Sequence, residues 1–290
     1  MKKIKFNFKT FSYALFFILL AVSWFFIIVV DEGDFFGLFT EKNAEFLRRF
    51  LQGLVGAGEE TPAFLQKDAV LNILELMGET LWMSILAIGF ATIAMLITVL
   101  PSARNVADGS LLLKKHWYDR PLFLFLRLIY IITRAIPELV WAMIIIFIFQ
   151  PGILPGAIAL ALHNYGILGK LCAEVIEDLK EDPIRNLASC GANSVQIMVY
   201  GIAPAVTAKF LTYIIYRWEV IIRTTIVVGF VGAGGLGMQF KLAMSYFRYS
   251  EITLILIAYL LLVWLADIVS NQTRKIVRQK QNPIQHRLVI

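Results

Sequence analysis

Long apolar blocks separated by short polar segments make up most of the sequence. An α-helix rises about 1.5 Å per residue, so about 20 apolar residues cross the roughly 30 Å hydrocarbon core of a bilayer. Six blocks approach or exceed this length, and a proline at position 137 interrupts the third. They cover residues 11–30, 80–100, 121–150, 155–172, 204–228 and 252–269. The pattern predicts an all-α, polytopic membrane protein with about six transmembrane helices.

The polar segments between the blocks differ in charge, and this difference predicts an orientation. Residues 1–9, 101–120 and 271–280 are short and basic, which is typical of cytoplasmic loops. The 31–78 segment is the longest and is acidic, and the 150–156 loop is uncharged. We expect these two on the outer side. Six spans with both termini in the cytoplasm satisfy all of these assignments together.

Composition agrees with a membrane protein and narrows its class. The chain is 59% hydrophobic and 17% charged, whereas a soluble domain carries about a quarter charged residues. The first block lacks a small-residue cleavage site near Val30, so we interpret it as a retained anchor. The net charge of +6 includes no dense Lys/Arg run with interleaved aromatic residues, so nucleic-acid binding is not expected. Cys172 and Cys190 have no spacing that predicts a disulfide framework or a zinc site.

Three regions are predicted along the chain. Residues 1–75 form an N-terminal anchor helix and an extracytoplasmic segment, residues 76–272 form the transmembrane domain, and residues 273–290 form a basic cytoplasmic tail. Within the first region, residues 44–55 place apolar side chains at intervals of four. This spacing predicts an amphipathic helix. It either lies on the membrane surface or packs on neighbouring spans, and the pattern favours neither.

A glycine-rich stretch follows the fifth block. Gly232, Gly234 and Gly237 have the G-x-G-x-x-G spacing of dinucleotide-binding loops, which is informative only after a strand and before a helix in a βαβ unit. Here the stretch follows an apolar helix, so nucleotide binding is not expected. Together with Gly235, these residues permit positive φ angles and close backbone approach. Two interpretations of the stretch are compatible with the sequence: a tight packing turn, or a part of the substrate path.

Two arginines lie near the predicted middle of the membrane, Arg134 in the third span and Arg217 in the fifth. An unpaired arginine is costly there and usually marks a pathway or an internal ion pair. The predicted interior carries more basic than acidic residues, which suits a small anion. Arginine also matches phosphate-like oxygens through paired hydrogen bonds. Ion pairs that only hold helices together are the structural alternative.

Possible partners of these cations are close in sequence. Arg134 and Glu138 are four residues apart, although the proline between them is expected to kink the helix. Glu219 and Arg223 are also four residues apart, in the order that favours a helical ion pair. His163 adds a polar group at a comparable depth in the fourth span. These side chains and the glycines above are the candidate residues of a substrate pathway.

The 173–203 segment is too polar to span a membrane and is predicted to be cytoplasmic. Helix signals flank Pro183, which suits a first helical position, and Gly191 interrupts the pattern. The segment resembles the coupling loop of type I ABC importer permeases, whose signature is E-A-A, three residues, Gly, nine residues, Ile-x-Leu-Pro. Gly191 and Pro204 match in register, Ala203 replaces the Leu, and residues 185–187 read Arg-Asn-Leu where E-A-A is expected. The resemblance implies an ATPase-coupling surface, formed by Arg185, Leu187, Ala188, Gly191, Ala192 and Pro204.

Three other stretches extend the resemblance over residues 46–290. They read ETLWMSILA from Glu79, RAIPELVWA from Arg134, and YRWEVIIRTTIVVGFVGAGGLG from Tyr216. Together they are most similar to the phosphonate/phosphite branch of these permeases, and methionine permeases are more distant relatives. The resemblance implies a type I importer fold with a methionine-permease-like core. It also implies alternating-access import of phosphonate, phosphite or phosphate across the prokaryotic cytoplasmic membrane.

The same resemblance implies partners for the chain. A homodimer of permeases is expected to sit in membrane lipid with two cytoplasmic ABC ATPase subunits and an extracytoplasmic binding protein. The chain has no G-x-x-x-x-G-K-[ST] motif, so it is expected to be neither an enzyme nor a cofactor binder, and the ATPase uses the Mg-ATP. Methionine or a quaternary amine is the alternative cargo. An intramembrane enzyme or a stand-alone carrier is disfavoured, because Asp267 is the only aspartate in a span and His163 has no nucleophile beside it.

Overall fold

The computed structural model describes residues 8–30, 36–111 and 116–281. The described residues are mainly helical and include no β-strand, which confirms the all-α prediction. The α-helices, in chain order, are α1 (Phe8–Phe25), α2 (Glu41–Leu54), α3 (Lys67–Thr98), α4 (Arg104–Ala107), α5 (Asp119–Ala135), α6 (Glu138–Phe149), α7 (Ile153–Glu177), α8 (Glu181–Ser189), α9 (Ser194–Gln196), α10 (Ala203–Val228), α11 (Gly235–Ser245) and α12 (Tyr249–Gln281). Short π-helical turns occupy Phe26–Val30, Ile197–Ile202 and Gly229–Ala233.

The chain divides into two compact units, Met1–Gly58 and Glu59–Ile290. The boundary falls earlier than the predicted one at residue 75. The reason is that the short 3-10 turn Ala63–Leu65 packs against α12 and α3, and α3 already begins at Lys67. The residues before α3 therefore join the larger unit.

The N-terminal unit contains the predicted anchor and the predicted amphipathic helix. Every described residue of α1 is exposed, although its sequence is almost wholly apolar, which is the pattern of a lipid-facing helix. In α2 the apolar side chains Phe46, Leu47 and Leu51 are also exposed. The predicted amphipathic helix is therefore present within this unit.

Helix α7 is the centre of the larger unit. It packs against α3, α5, α6 and α10, and 13 of its 25 residues are buried. Gly166 and Gly169 face α5, where an added Cβ would collide with Thr133 and with the ring of Tyr130. Small residues at such contacts let two membrane helices approach closely. The glycines of α7 thus set how near α5 lies to the centre of the fold.

Four helical segments of the described chain are long and apolar enough to cross a membrane, and one bent pair makes a fifth. The four are Phe8–Val30, Lys67–Thr98, Ser194–Ala233 and Tyr249–Val277. The remaining predicted span, 155–172, lies in α7, which has the length but is more polar because it carries His163, Asn164 and Lys170. Of these, Asn164 is buried, whereas His163 and Lys170 are partly exposed and lie beside Glu138 and Glu174.

The bent pair is the predicted third span. Helices α5 and α6 meet at an angle of 94°, a much larger break than a kinked continuous helix. Ile136 is extended at φ −85° and ψ 122°, because the ring of Pro137 disfavours a helical conformation in the residue before it. Arg134 consequently lies in the last turn of α5, beside the bend.

Candidate substrate pathway and docking segment

The bend between α5 and α6 places Glu138 against α7. The carboxylate Oε2 of Glu138 lies 3.4 Å from Nε2 of His163. The other ring nitrogen, Nδ1, lies 2.9 Å from the carbonyl oxygen of Ile136, and because a carbonyl only accepts, Nδ1 donates this hydrogen bond. The expected Arg134–Glu138 pair is not formed in the described structure. The break removes the continuous helix face on which residues four apart would meet.

Arg217 pairs with an amide instead of a carboxylate. Its Nε and Nη2 donate hydrogen bonds of 2.8 and 2.5 Å to Oδ1 of Asn164. Asn164 is 2% exposed, and its Nδ2 donates to the carbonyl oxygen of Leu160 at 2.7 Å. The guanidinium is therefore held in place while its positive charge is retained.

Glu219 and Arg223 form the predicted ion pair, with Nη2 of Arg223 2.9 Å from Oε1 of Glu219. Both residues also contact α12. Arg223 pairs with Asp267 at 2.8 Å, and Oε2 of Glu219 accepts from Arg274 at 2.8 Å and from Ser270 at 2.9 Å. The two carboxylates and two guanidinium groups balance in charge. We call Glu219, Arg223, Asp267, Ser270 and Arg274 the α10–α12 charge cluster.

The structure thus separates the candidate side chains into two groups. The α10–α12 charge cluster is neutral as a whole and joins two helices, which fits the structural alternative. Arg217 has only a neutral partner, and the side chain of Arg134 shows no ion pair or hydrogen bond within the described ranges. In the second group no contacting carboxylate within the described ranges balances the positive charge.

The glycine-rich stretch forms the turn between α10 and α11. Gly232, Gly234 and Gly235 have φ angles of 107°, 88° and 64°, which side-chain-bearing residues rarely adopt. A Cβ on Gly237 would also collide with the backbone of Ile226. The packing-turn interpretation is therefore supported by the backbone geometry. The turn follows helices, so the setting that a dinucleotide site requires is missing from the described part of this region.

Two side chains of α3 close this turn. The backbone N–H of Gly235 donates to Oε2 of Glu79 at 3.1 Å, and that of Leu236 donates to the hydroxyl of Thr80 at 3.0 Å. These N–H groups begin α11, where a helix has unsatisfied donors and a partial positive charge. The anion-attracting turn anticipated from the glycines is thus occupied by a carboxylate of the chain itself.

Several of these partners were not predicted as site residues. Asn164, Glu79 and Arg274 are distant in sequence from the groups that they contact. Glu79 and Thr80 do belong to the ETLWMSILA stretch. Two polar residues at the start of an apolar block were therefore the sequence signal that could have identified them as partners. No comparable signal marks Arg274, because it lies beyond the predicted end of the sixth span at residue 269 and α12 continues past it.

The predicted coupling segment is a pair of short helical elements interrupted by a glycine. Residues 173–177 still belong to α7, so the segment begins later than predicted, and α8 follows after Lys180. Gly191 has a φ of 85° and open space around it. Ile184 is buried in the apolar core between α7 and the 197–202 turn, and this contact anchors α8.

The residues of the predicted coupling surface divide by exposure. Arg185, Gly191 and Pro204 are exposed, whereas Leu187, Ala188 and Ala192 are half-buried. Arg185 pairs with Glu181 along the exposed side of α8 at 2.6 Å. Leu187 packs next to Gly201, where an added Cβ would lie 3.1 Å from its Cδ1. One side of α8 therefore joins the core and the other is available to a partner.

An all-helical unit with several membrane-length helices, charged side chains between them and an exposed helix–glycine–helix element defines a membrane permease. The chain belongs to the family of binding-protein-dependent transport system inner membrane components, whose model matches residues 109–282.

Relatives and solved structures agree with this assignment. The chain is 34% identical over 197 residues to the phosphite transport system permease protein PtxC of Stutzerimonas stutzeri, and the match covers 68% of each chain. It is 27% identical over 243 residues to the phosphate-import permease protein PhnE of Mycolicibacterium smegmatis, covering 81% of this chain and 44% of the relative. In fold it resembles the MetNI methionine ABC transporter in an inward-facing conformation, with a TM-score of 0.63 at 16% identity over 73% of this chain and 99% of that one.

Proposed function

We propose that this chain is the membrane-spanning subunit of an ATP-driven importer for a phosphonate-type oxyanion, namely phosphite, a phosphonate or phosphate. The observation that carries the cargo class is Arg217, a guanidinium held between membrane helices by an uncharged partner. Such a group attracts an anion and matches its oxygens through paired hydrogen bonds. The sequence similarity to a phosphite permease and to a phosphate-import permease supports the same class of cargo.

The family description implies that a binding protein delivers the cargo. We place that protein on the outer face and two ABC ATPase subunits on the α8 side of a permease homodimer. Closure of the ATPases would push α8, whose buried Ile184 connects it to α7 and to the 197–202 turn. Transport then follows if the substrate has different binding free energies in the inward-open and outward-open states.

The proposed location is a prokaryotic cytoplasmic membrane, with both termini in the cytoplasm. The basic 101–120 loop and the residues after 270 support this orientation under the positive-inside rule. Impermeant labelling of single cysteines at position 190, which is exposed, and at an outer position tests it. Labelling of Cys190 from outside intact cells would reverse the topology.

Methionine or a quaternary amine remains the less favoured cargo. The likeness to a methionine transporter is at 16% identity and supports the fold alone. A quaternary amine is a cation and would be repelled by Arg217, unless aromatic side chains provided its binding site.

Uptake in sealed vesicles tests the proposal. The vesicles contain the full chain together with the ATPase and binding protein recovered with it. We expect ATP-dependent accumulation of phosphite, methylphosphonate or phosphate, and none without ATP. Accumulation of methionine alone, with no oxyanion uptake at any concentration tested, would contradict the proposed cargo.

A further inference from the structure

We infer that Asn164 is a positioning and specificity-determining residue that holds Arg217 charged and open toward the transported anion. The inference rests on the proposed function, since it concerns the same pathway. It starts from the observation that the two polar atoms of the Asn164 amide have different partners. Oδ1 accepts both hydrogen bonds from Arg217, while Nδ2 donates to the carbonyl oxygen of Leu160. Because that carbonyl only accepts, the amide cannot turn its oxygen away from Arg217.

The geometry leaves most of the guanidinium free. Arginine has five N–H groups, and Asn164 receives two of them. Within the described residues no second acceptor contacts Arg217. Three N–H donors therefore remain in the plane of the guanidinium. A phosphonate-type oxyanion can accept two parallel hydrogen bonds from such a group. Asn164 itself is buried and fixes the angle of that plane.

The chemical type of the partner matters more than its shape. An aspartate at position 164 would still accept from Arg217, but it would lose the donation to Leu160 and would cancel the charge of Arg217. The α10–α12 charge cluster shows that this chain does use carboxylates where arginines join helices, as at Glu219. At Arg217 it uses an amide instead. In a medium of low dielectric constant the difference between a cancelled and a retained charge extends over many ångströms.

The other charged groups near this point do not cancel Arg217. Glu138 forms no ion pair with Arg217 in the described structure, and its carboxylate lies 3.4 Å from Nε2 of His163. Arg134 lies at the same bend and adds a second positive charge. The two arginines and the one glutamate leave a net positive sum, and His163 carries no negative charge that could offset it. One anionic substrate balances this sum, whereas a neutral or cationic substrate does not.

The test compares substitutions of Asn164 in vesicles that contain the full chain, its ATPase and its binding protein. The measured quantity is phosphite accumulated per ATP hydrolysed. Asn164→Asp keeps the shape and cancels the charge, and we expect a fall of about tenfold or more. Asn164→Ala keeps the charge and loses the positioning, so a smaller fall is expected. A merely structural role predicts less folded protein but an unchanged ratio for both substitutions, because Asp loses the hydrogen bond to Leu160 and Ala leaves a buried cavity.

Thr225→Val is the matched control. Thr225 is 1% exposed on the same helix as Arg217, and its hydroxyl donates to the carbonyl of Ile222 within that helix at 2.6 Å. We expect this variant to keep its phosphite per ATP within about twofold of the unaltered chain. A general folding defect lowers uptake and hydrolysis together and leaves their ratio unchanged, so this readout separates positioning from stability.

Adding Asn164→Asp to an Arg217→Ala chain completes the test. If Asn164 acts through Arg217, the second substitution causes no further loss, whereas independent effects multiply. Multiplying effects, or an Asn164→Asp chain with an unchanged ratio, would overturn the inference while the proposed function stands. If the unaltered chain transports no oxyanion at all, the proposed function fails and this inference fails with it.

Discussion

Replacing Glu219 with glutamine is the most direct way to test the division between structural and pathway charges. Glu219 is the central member of the α10–α12 charge cluster, because its two oxygens accept from Arg223, Arg274 and Ser270. Its side chain is 12% exposed, and that of Arg274 is 21% exposed. Glutamine keeps one acceptor oxygen, but its amide NH2 group, a donor, replaces the other acceptor beside an arginine.

The expected loss follows from these contacts. Breaking a buried ion pair costs about 3–5 kcal/mol when one charge is left alone. Here Arg223 keeps Asp267 at 2.8 Å, and the partly exposed arginines regain some hydration. We therefore expect the low end of the range, about 3 kcal/mol. The variant's cluster carries one net positive charge, but Arg223 keeps Asp267 and both arginines are partly exposed, so the phosphite accumulated per ATP is expected to change little.

The assay is the midpoint of thermal unfolding in detergent, followed by loss of the monodisperse chromatographic peak. Glu45→Gln on α2 is the matched control, because Glu45 makes an ion pair with Arg49 in which both side chains are more than half exposed. Such a pair contributes roughly 0–1 kcal/mol. Equal midpoints for the two variants would refute a structural role of the cluster. Lost transport at an unchanged midpoint would return Glu219 to the pathway.

Three further predictions concern the turn, the coupling segment and the bend. Glu79→Gln weakens a charged hydrogen bond to the start of α11, so we expect slower transport and faster amide exchange at Gly235, and unchanged exchange would contradict the contact. Gly191→Val forces a β-branched residue to a φ of 85°, which is strongly disfavoured. ATP hydrolysis is expected to continue while uptake falls. Normal coupling of hydrolysis to uptake would argue against this segment as the docking element. Arg134→Ala and Arg217→Ala are each expected to reduce oxyanion uptake more than membrane insertion, as measured by uptake and by the amount of chain in purified membranes.

The prediction of the helices succeeded where the physical cause is local. Apolar blocks of membrane length determine helices whatever their neighbours are, and the Ala203–Val228 and Tyr249–Gln281 helices begin within three residues of the predicted starts. The break at Pro137 was also predictable, because the proline ring acts on the residue directly before it. Its angle of 94° was not, since that depends on what packs against α5 and α6.

The partners of the charged side chains were predicted only where both lie on one continuous helix. Glu219 and Arg223 are such a pair, and their ion pair is confirmed. Arg134 and Glu138 have the same spacing, but the helix ends between them. Asn164 was not predicted as the partner of Arg217, because 53 positions separate the two residues. Spacing along the chain carries no information about which faces of α7 and α10 meet.

By itself the sequence determined that the chain is helical and spans a membrane. It also determined the positions at which the backbone geometry requires glycine. These properties depend on the solvation of each segment and on the φ and ψ angles of single residues. The tertiary structure alone decided which arginine is neutralised, which is held by an amide, and which carboxylate closes the glycine turn. Charge compensation is a property of side chains from different helices at a distance of about 3 Å, and only the packed fold brings them there.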